Sequence, residues 1–327
     1  MLRGDQSARF DHLRSVPNYV LAIGLCIVGV AGLVLRGEDA VAALSWGWAD
    51  IATPITSELK HSNGVNYGVY DPLRRFSNVK GVAIEHIFVS WLSSESSEKI
   101  SNSFKYASDR NRWLMITVEP HALEGRGPQV LNDVAVGAYD PIIESLCKRI
   151  GSLQAPALVR WGHEMESREV RYPWSGANND SYIAAYRHFA EKCRADAPKI
   201  YLVWSPKGAP GLAKYYPGRT FVDLVGLSIY ELPSYDLDHS GKLISFRDIF
   251  APKYDRVMVF NIPIIIAEMG VSGDPKYQAH WMADFFRCAS NFPLLRTAVY
   301  FNGKDNPGAW PEKYGTPDWT IDANIFE

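Results

Sequence analysis

From about Gly64 onward the chain is punctuated by short, unbroken apolar runs rich in β-branched and aromatic residues: NYGVY (66–70), GVAIEHIFVSW (81–91), WLMITVEP (113–120), APALVRWGHE (155–164), IYLVWSP (200–206), DLVGLSIY (223–230), PIIIAEMG (263–270) and TAVYFN (297–302). A strand covered on both faces needs such a continuous run, whereas a strand with one wet face alternates. Between most of them lie stretches of helical period, such as 140–153, 180–196 and 277–291. Asp140 followed by Pro141 reads as a cap with proline in the first turn, and Asp180 as the cap of the next helix. Eight strand–helix alternations over about 260 residues predict an α/β fold, a (β/α)8 TIM barrel over residues 63–327. A doubly wound open sheet would alternate too, but no GxGxxG or P-loop follows the first run and the count closes at eight.

The N-terminal stretch departs from this pattern. Asn18 to Leu35 carry no charge, with Arg3, Arg9 and Arg14 before them and Arg36, Glu38 and Asp39 after. Such a run approaches the ~20 residues that span a bilayer. The flanking arginines orient residues 1–17 to the cytoplasm. The expectation is therefore a transmembrane signal anchor at 18–35, a linker at 36–62, and a barrel held extracytoplasmically at the inner membrane. Cleavage after Ala40–Ala42, giving a secreted domain, is the second reading.

The 327 residues are 47% hydrophobic and carry a formal net charge of −2, which leaves no electrostatic footprint for nucleic acid. Cys147, Cys193 and Cys288 are widely spaced and odd in number, which excludes a disulfide framework and a zinc knuckle; one disulfide is possible, and three buried thiols are the simpler expectation. The 10 Trp and 17 Tyr include several in loop-like contexts, where rings can stack on sugars.

In a barrel of this kind the chemistry collects where the strands end. Glu164 and Glu268 each close an apolar run, where an unpaired charge is expensive to hold. Strands four and seven face each other across the mouth. Two carboxylates there suit retaining glycoside hydrolysis, Glu164 as acid and base and Glu268 as nucleophile, at the ~5–5.5 Å separation that chemistry uses. Tyr230, closing the sixth run, is suited to donate to Glu268, and Arg160 to balance charge within the rim. Trp91, Trp174, Trp204 and Trp310 are expected as sugar platforms, and Glu119 as a rim residue that binds substrate. Glu166, two residues beyond Glu164 on one loop, is badly placed to face it.

RWGHEM (160–165), YPW (172–174), LVWSP (202–206), YYPG and FVDLVGLSIY (215–230) and PIIIAEMG (263–270) resemble, in order, the blocks of glycoside hydrolase family 26. That family comprises retaining (β/α)8 endo-glycanases acting on β-mannan, mixed-linkage β-glucan or β-1,3-xylan. The resemblance implies that His163 precedes the acid/base Glu164, that Glu268 is the nucleophile supported by Tyr230, and that Trp204, His86 and Trp310 border the sugar at the cleavage point. Mannanases of the family commonly continue the acid/base motif with Asn-Gly and a Trp-rich run. Here Glu166 and Ser167 follow Met165 and only YPW matches the aromatics, so this stretch lends mannan in particular no support.

The implied substrate is a β-linked polysaccharide or oligosaccharide, the tethered domain working at the cell surface or with exopolysaccharide synthesis or export machinery. No cofactor and no metal are expected. Two other readings stand beside this one. A metal-dependent barrel hydrolase would use His86, His121 and His163 with Glu119 or Glu85, and a non-catalytic carbohydrate-binding barrel would keep the aromatic cleft without turnover.

Overall fold

The computed structural model describes residues 64–167 and 172–326. The expected cytoplasmic segment, anchor, cleavage site and linker all lie outside the described residues. Among those described, no helix is long and apolar enough to cross a membrane.

The chain runs β1 (Asn66–Tyr70), β2 (Val82–Ser90), α1 (Ser96–Ser108), β3 (Trp113–Glu119), α2 (Val130–Ala135), α3 (Asp140–Gly151), β4 (Ala157–Trp161), α4 (Asn179–Asp196), β5 (Ile200–Trp204), β6 (Leu224–Glu231), α5 (Pro233–Ser240), α6 (Phe246–Val257), β7 (Ile264–Val271), α7 (Pro275–Cys288) and β8 (Leu295–Phe301). All eight strands pair in parallel and in sequence order, and β8 closes on β1. The expected (β/α)8 barrel is the observed architecture.

Its packing explains the unbroken apolar runs. One set of strand residues packs outward with the helices in the larger core, including Val69, Ile116, Val159, Leu202 and Ile266. The other set, Ile84, Met115, Leu158, Val203, Leu224, Ile265, Ala267 and Val299, forms a separate buried cluster. These are the inward positions that plug the barrel, as expected for parallel strands covered on both sides. Climbing by the side-chain period of two, the next inward residues are His86, Thr117, Arg160, Ser205 and Phe301, and one step further come Phe88 and Glu119. The interior therefore changes from oil to a polar layer to an open cavity. Gly226 lies where a Cβ would sit 2.5 Å from the Ser205 hydroxyl, so that polar layer closes only around a glycine.

Two helix starts differ from the sequence expectation. The helix expected to begin at Asp180 is capped by Asn178, whose side chain accepts from the Asp180 and Ser181 N–H groups. Asp140 lies inside the first turn of α3 rather than capping it. Acidic residues favour either position, because the orphan N–H groups of the first turn attract negative charge.

The cysteines also differ from the expectation of three buried thiols. Cys147 on α3 and Cys193 on α4 form a disulfide, with Cα atoms 5.0 Å apart, and only Cys288 is a free buried thiol. The two cysteines are 46 residues apart in sequence, and the meeting of α3 and α4 is a tertiary event their spacing did not reveal.

Candidate active site

Glu268 reaches the interior through an irregularity in β7. Leu227 of β6 pairs with Ile266, but its successor Ser228 pairs with Glu268, so Ala267 is an extra residue on the β7 side. Strict alternation would put Glu268 on the outer face with Ile264 and Ile266. A one-residue bulge flips the facing of the residues beyond it, and such bulges serve to re-aim side chains. Glu268 is thus inside β7 rather than at its end, and 7% exposed.

Arg160, fully buried on β4, donates through Nε to the Ser205 hydroxyl at 2.8 Å and pairs through Nη1 with Glu268 Oε1. Tyr230 donates its phenol proton to Glu268 Oε2 at 2.6 Å. Burial pushes the Glu268 carboxyl up from the usual range, Arg160 pulls it down, Glu164 pushes it up, and the Tyr230 bond opposes that. Two donors on the two oxygens also fix the plane of the carboxylate.

Glu164 sits three residues past β4 on a tight turn. Gly162 and Glu164 both have left-handed backbone, with φ of +54° and +56°. That region is routine for glycine and sparsely populated by other residues. The turn is held from several sides. The Glu164 N–H donates to the Ser205 carbonyl at 2.8 Å, the Ser167 hydroxyl donates to the Glu164 carbonyl at 2.8 Å, and the Trp174 indole N–H donates to the His163 carbonyl at 2.7 Å. Such over-determination is what keeps a sparsely populated backbone in place.

Glu164 and Glu268 both line one cleft of about 700 Å³ at the carboxyl end of the strands. Tyr70, Phe88, Glu119, Tyr172, Tyr230, Tyr235, Phe301 and Trp310 supply much of its wall. Of the expected substrate-binding residues, Trp310 and Glu119 lie there. The Trp310 indole donates to Asp305 at 3.0 Å, and Glu119 is 3.5 Å from the His121 ring.

Trp91, Trp174 and Trp204 do not line the cleft. They are at most 5% exposed, and an indole closed in by protein has no face to offer a sugar. Trp91 stacks on Tyr139, Trp174 on Tyr172, and Trp204 packs edge-on against Tyr216 and Phe260. They act as braces behind the rim, and the aromatic wall is made mainly of tyrosine and phenylalanine. His86 is likewise buried, 2.7 Å from the Thr117 hydroxyl and behind Tyr70 and Phe88, and burial drives its pKa down so that it stays neutral. His163 is 3.0 Å from the Tyr172 hydroxyl.

The residues of the metal-centred reading do not converge. His86, His163 and His121 face Thr117, Tyr172 and Glu119, and Glu85 is paired with Arg112 at 3.1 Å. Among the described residues no three His, Cys, Asp or Glu side chains gather as a cation set.

Sequence reasoning passed over Phe88, Tyr235 and Lys253 as cleft residues. Phe88 had a signal, since it lies two positions beyond His86 and so on the same strand face. The α5 and α6 residues had none.

A closed parallel barrel whose strands deliver two carboxylates and a belt of aromatic rings to one cleft at their carboxyl ends has the layout of the barrel-type glycosidases. Comparison narrows this. Residues 122–261 match the model of glycosyl hydrolase family 26, so the resemblance to that family is shown over the blocks from RWGHEM to FVDLVGLSIY, while PIIIAEMG lies beyond the matched stretch.

A β-1,3-xylanase of Vibrio sp. is 24% identical over 214 residues, 58% of this chain and 45% of the xylanase. Endoglucanase H of Acetivibrio thermocellus is 24% identical over 266 residues, 77% of this chain and 27% of that protein. The chain therefore spans less than half the length of these relatives. Among solved structures, GH26C from Muricauda sp. superposes with a TM-score of 0.61 at 12% identity, covering 81% of this chain and 84% of that one. A modular endo-β-1,4-mannanase from Cellulomonas fimi gives 0.59 at 15% identity, covering 77% and 68%.

Proposed function

We propose that the barrel is a retaining endo-β-glycanase. In the first step a Glu268 oxygen attacks the anomeric carbon while Glu164 gives its proton to the departing glycosidic oxygen. In the second, Glu164 takes a proton from water, the water oxygen attacks the same carbon, and Glu268 is released as carboxylate. The observation that carries this reading is the asymmetry between two acids sharing one cleft. Glu268 is pinned through both oxygens by Arg160 and Tyr230, as a nucleophile should be, while Glu164 is presented from a turn above it. Like charges in one cleft also drive two carboxyl pKa values apart, which favours one acid and one base.

The anomer formed first from a β-linked polymer, followed by proton NMR, tests the mechanism, and the β anomer is expected. Inversion, or ordinary turnover by Glu268→Ala, would falsify it. Candidate polymers are β-1,3-xylan, mixed-linkage β-glucan and β-mannan, after the names of the relatives and neighbours.

The membrane tether at residues 18–35 belongs to the same proposal, as does a role beside the machinery that makes or exports surface polysaccharide. It rests on the uncharged run and its flanking arginines. Cell fractionation tests it: the full chain should sediment with membranes and a chain starting at residue 40 should not.

A further inference from the structure

Lys253 stands out as a cation the proposed double displacement does not use. It lies on α6, outside the barrel, yet its side chain lines the cleft. The route inward passes Gly208, whose φ is +95° and where a Cβ would sit 2.7–2.9 Å from the Lys253 methylenes. Only glycine leaves that passage open. The loop around Gly208 is fastened for the purpose. One Glu166 oxygen accepts from the Gly208 and Ala209 N–H groups at 2.8 and 3.0 Å, and Arg256 donates to the Gly208 carbonyl at 2.8 Å. Glu166, the residue that departs from the mannanase pattern, is thus a strut for this passage.

At its end the Lys253 ammonium donates to the Ser228 carbonyl at 2.6 Å. Ser228 is the β6 residue in register with Glu268, so the ammonium is anchored beside the proposed nucleophile. An ammonium has three donors, and the carbonyl takes one.

The rest of the cleft fits this charge. Lys99, Lys207 and Lys304 also line it, against Glu95, Glu119, Glu164, Glu268 and Asp305. Much of that negative charge is already engaged: Glu268 is held by Arg160 and Tyr230, Glu119 faces His121, and Asp305 accepts from the indoles of Trp310 and Trp319. Glu164 and Glu166 favour the charged ammonium but burial outweighs them, and a neutral glycan gives no reason to conduct a lysine through a glycine gap into a position where holding its charge is costly.

We propose that Lys253 reads an anionic group, carboxylate or sulfate, carried by a sugar in the cleft, and that the preferred substrate is an acidic β-glycan. The proposal rests on the cleft being a glycan site, which the glycanase reading supplies. Burial lowers the Lys253 pKa to about 8, and Glu164, Lys207, Glu166 and Arg256 are the charged groups that act on it. Its charge, and the preference with it, is therefore lost as the pH rises through about 8.

The test uses the whole protein and two polymers, mixed-linkage β-glucan and β-mannan, each as the neutral parent, the C6-oxidised derivative and the sulfated derivative. Binding is read by rapid-mixing tryptophan fluorescence and cleavage separately by reducing-sugar release. At least one derivative should bind roughly ten-fold or more tightly than its parent, the value expected of a hydrogen bond to a charged group, and comparing the two derivatives identifies the anion. Lys253→Met should erase that ratio, and in the unaltered protein it should decline as the pH passes about 8. The pH series decides the matter even where the variant does not fold. Neutral parents bound as well as every derivative, an unchanged ratio in Lys253→Met, or a pH-independent ratio would each overturn the assignment. Cleavage of parents without any acidic preference would leave the glycanase standing and remove only the lysine's role. An acidic preference without cleavage of any member would do the reverse.

Discussion

Replacing Tyr230 by Phe removes one oxygen and leaves the ring, which packs against Trp319 at 4.8 Å and Phe301 at 6.3 Å between centroids. The lost interaction is a short hydrogen bond to an ionised, 7% exposed carboxylate, the kind worth about 1.5–3 kcal/mol. If that stabilisation is used to hold the nucleophile in place, kcat/KM should fall by roughly 10- to 150-fold, since each ~1.4 kcal/mol is tenfold. The pH effect has a definite direction too. The Tyr230 bond holds the Glu268 pKa down against burial, so without it the carboxyl keeps its proton to higher pH. The acid limb of the kcat/KM profile should move to higher pH. Initial rates over a pH series, with thermal unfolding of both proteins as the control for folding, provide the measurement. A rate within about threefold of the original, or an acid limb that moves down, would show that Glu268 is not the group whose ionisation drives turnover.

Arg160→Met should be harsher, abolishing turnover and lowering stability by about 3–5 kcal/mol in chemical denaturation, because it strands a buried carboxylate. A Cys147→Ser, Cys193→Ser double variant should lose about 4 kcal/mol by the loop-closure estimate for a 46-residue separation, a drop in melting temperature on the order of 10 °C; an unchanged melting curve under reductant would contradict it. Glu231 is fully buried and its carboxyl is pushed up to about 8, first by burial and then by Asp236. A carboxyl raised on folding contributes stability at low pH that is lost as the pH climbs from the ordinary glutamate range through that value. Glu231→Gln should keep the contact with Tyr277 and gain in melting temperature over the parent as the pH rises towards about 8; a constant difference would refute the assignment.

The barrel was legible because its cause is local and repeated. Strands buried on both faces must read as apolar runs, and β2 at Val82–Ser90 lies within the run 81–91 that predicted it. Glu164 and Glu268 stood out for a related reason, since a carboxylate ending such a run is costly to hold unless it is paired. What stayed hidden depends on register and on distance along the chain. Nothing in PIIIAEMG declares that Ala267 is an extra residue, so Glu268 was expected at a strand's end instead of mid-strand behind a bulge. The tryptophans misled because ring chemistry suits a sugar and a core equally, and only tertiary placement distinguishes a brace such as Trp204 from a wall residue such as Trp310. Lys253 comes from the middle of an outer helix, where no motif marks it and only the gap at Gly208 gives it a function.

The left-handed turn at Glu164 has an evolutionary consequence. A residue with a side chain sits there at a disadvantage of about 1–2 kcal/mol that glycine largely escapes and asparagine partly escapes. Selection for durability alone would replace the glutamate, so under the proposed acid/base role it is the demand for its chemistry that retains it. In a lineage that ceased to cut glycans, this position should be among the first to drift, and the descendants should be more heat-resistant than their active ancestor.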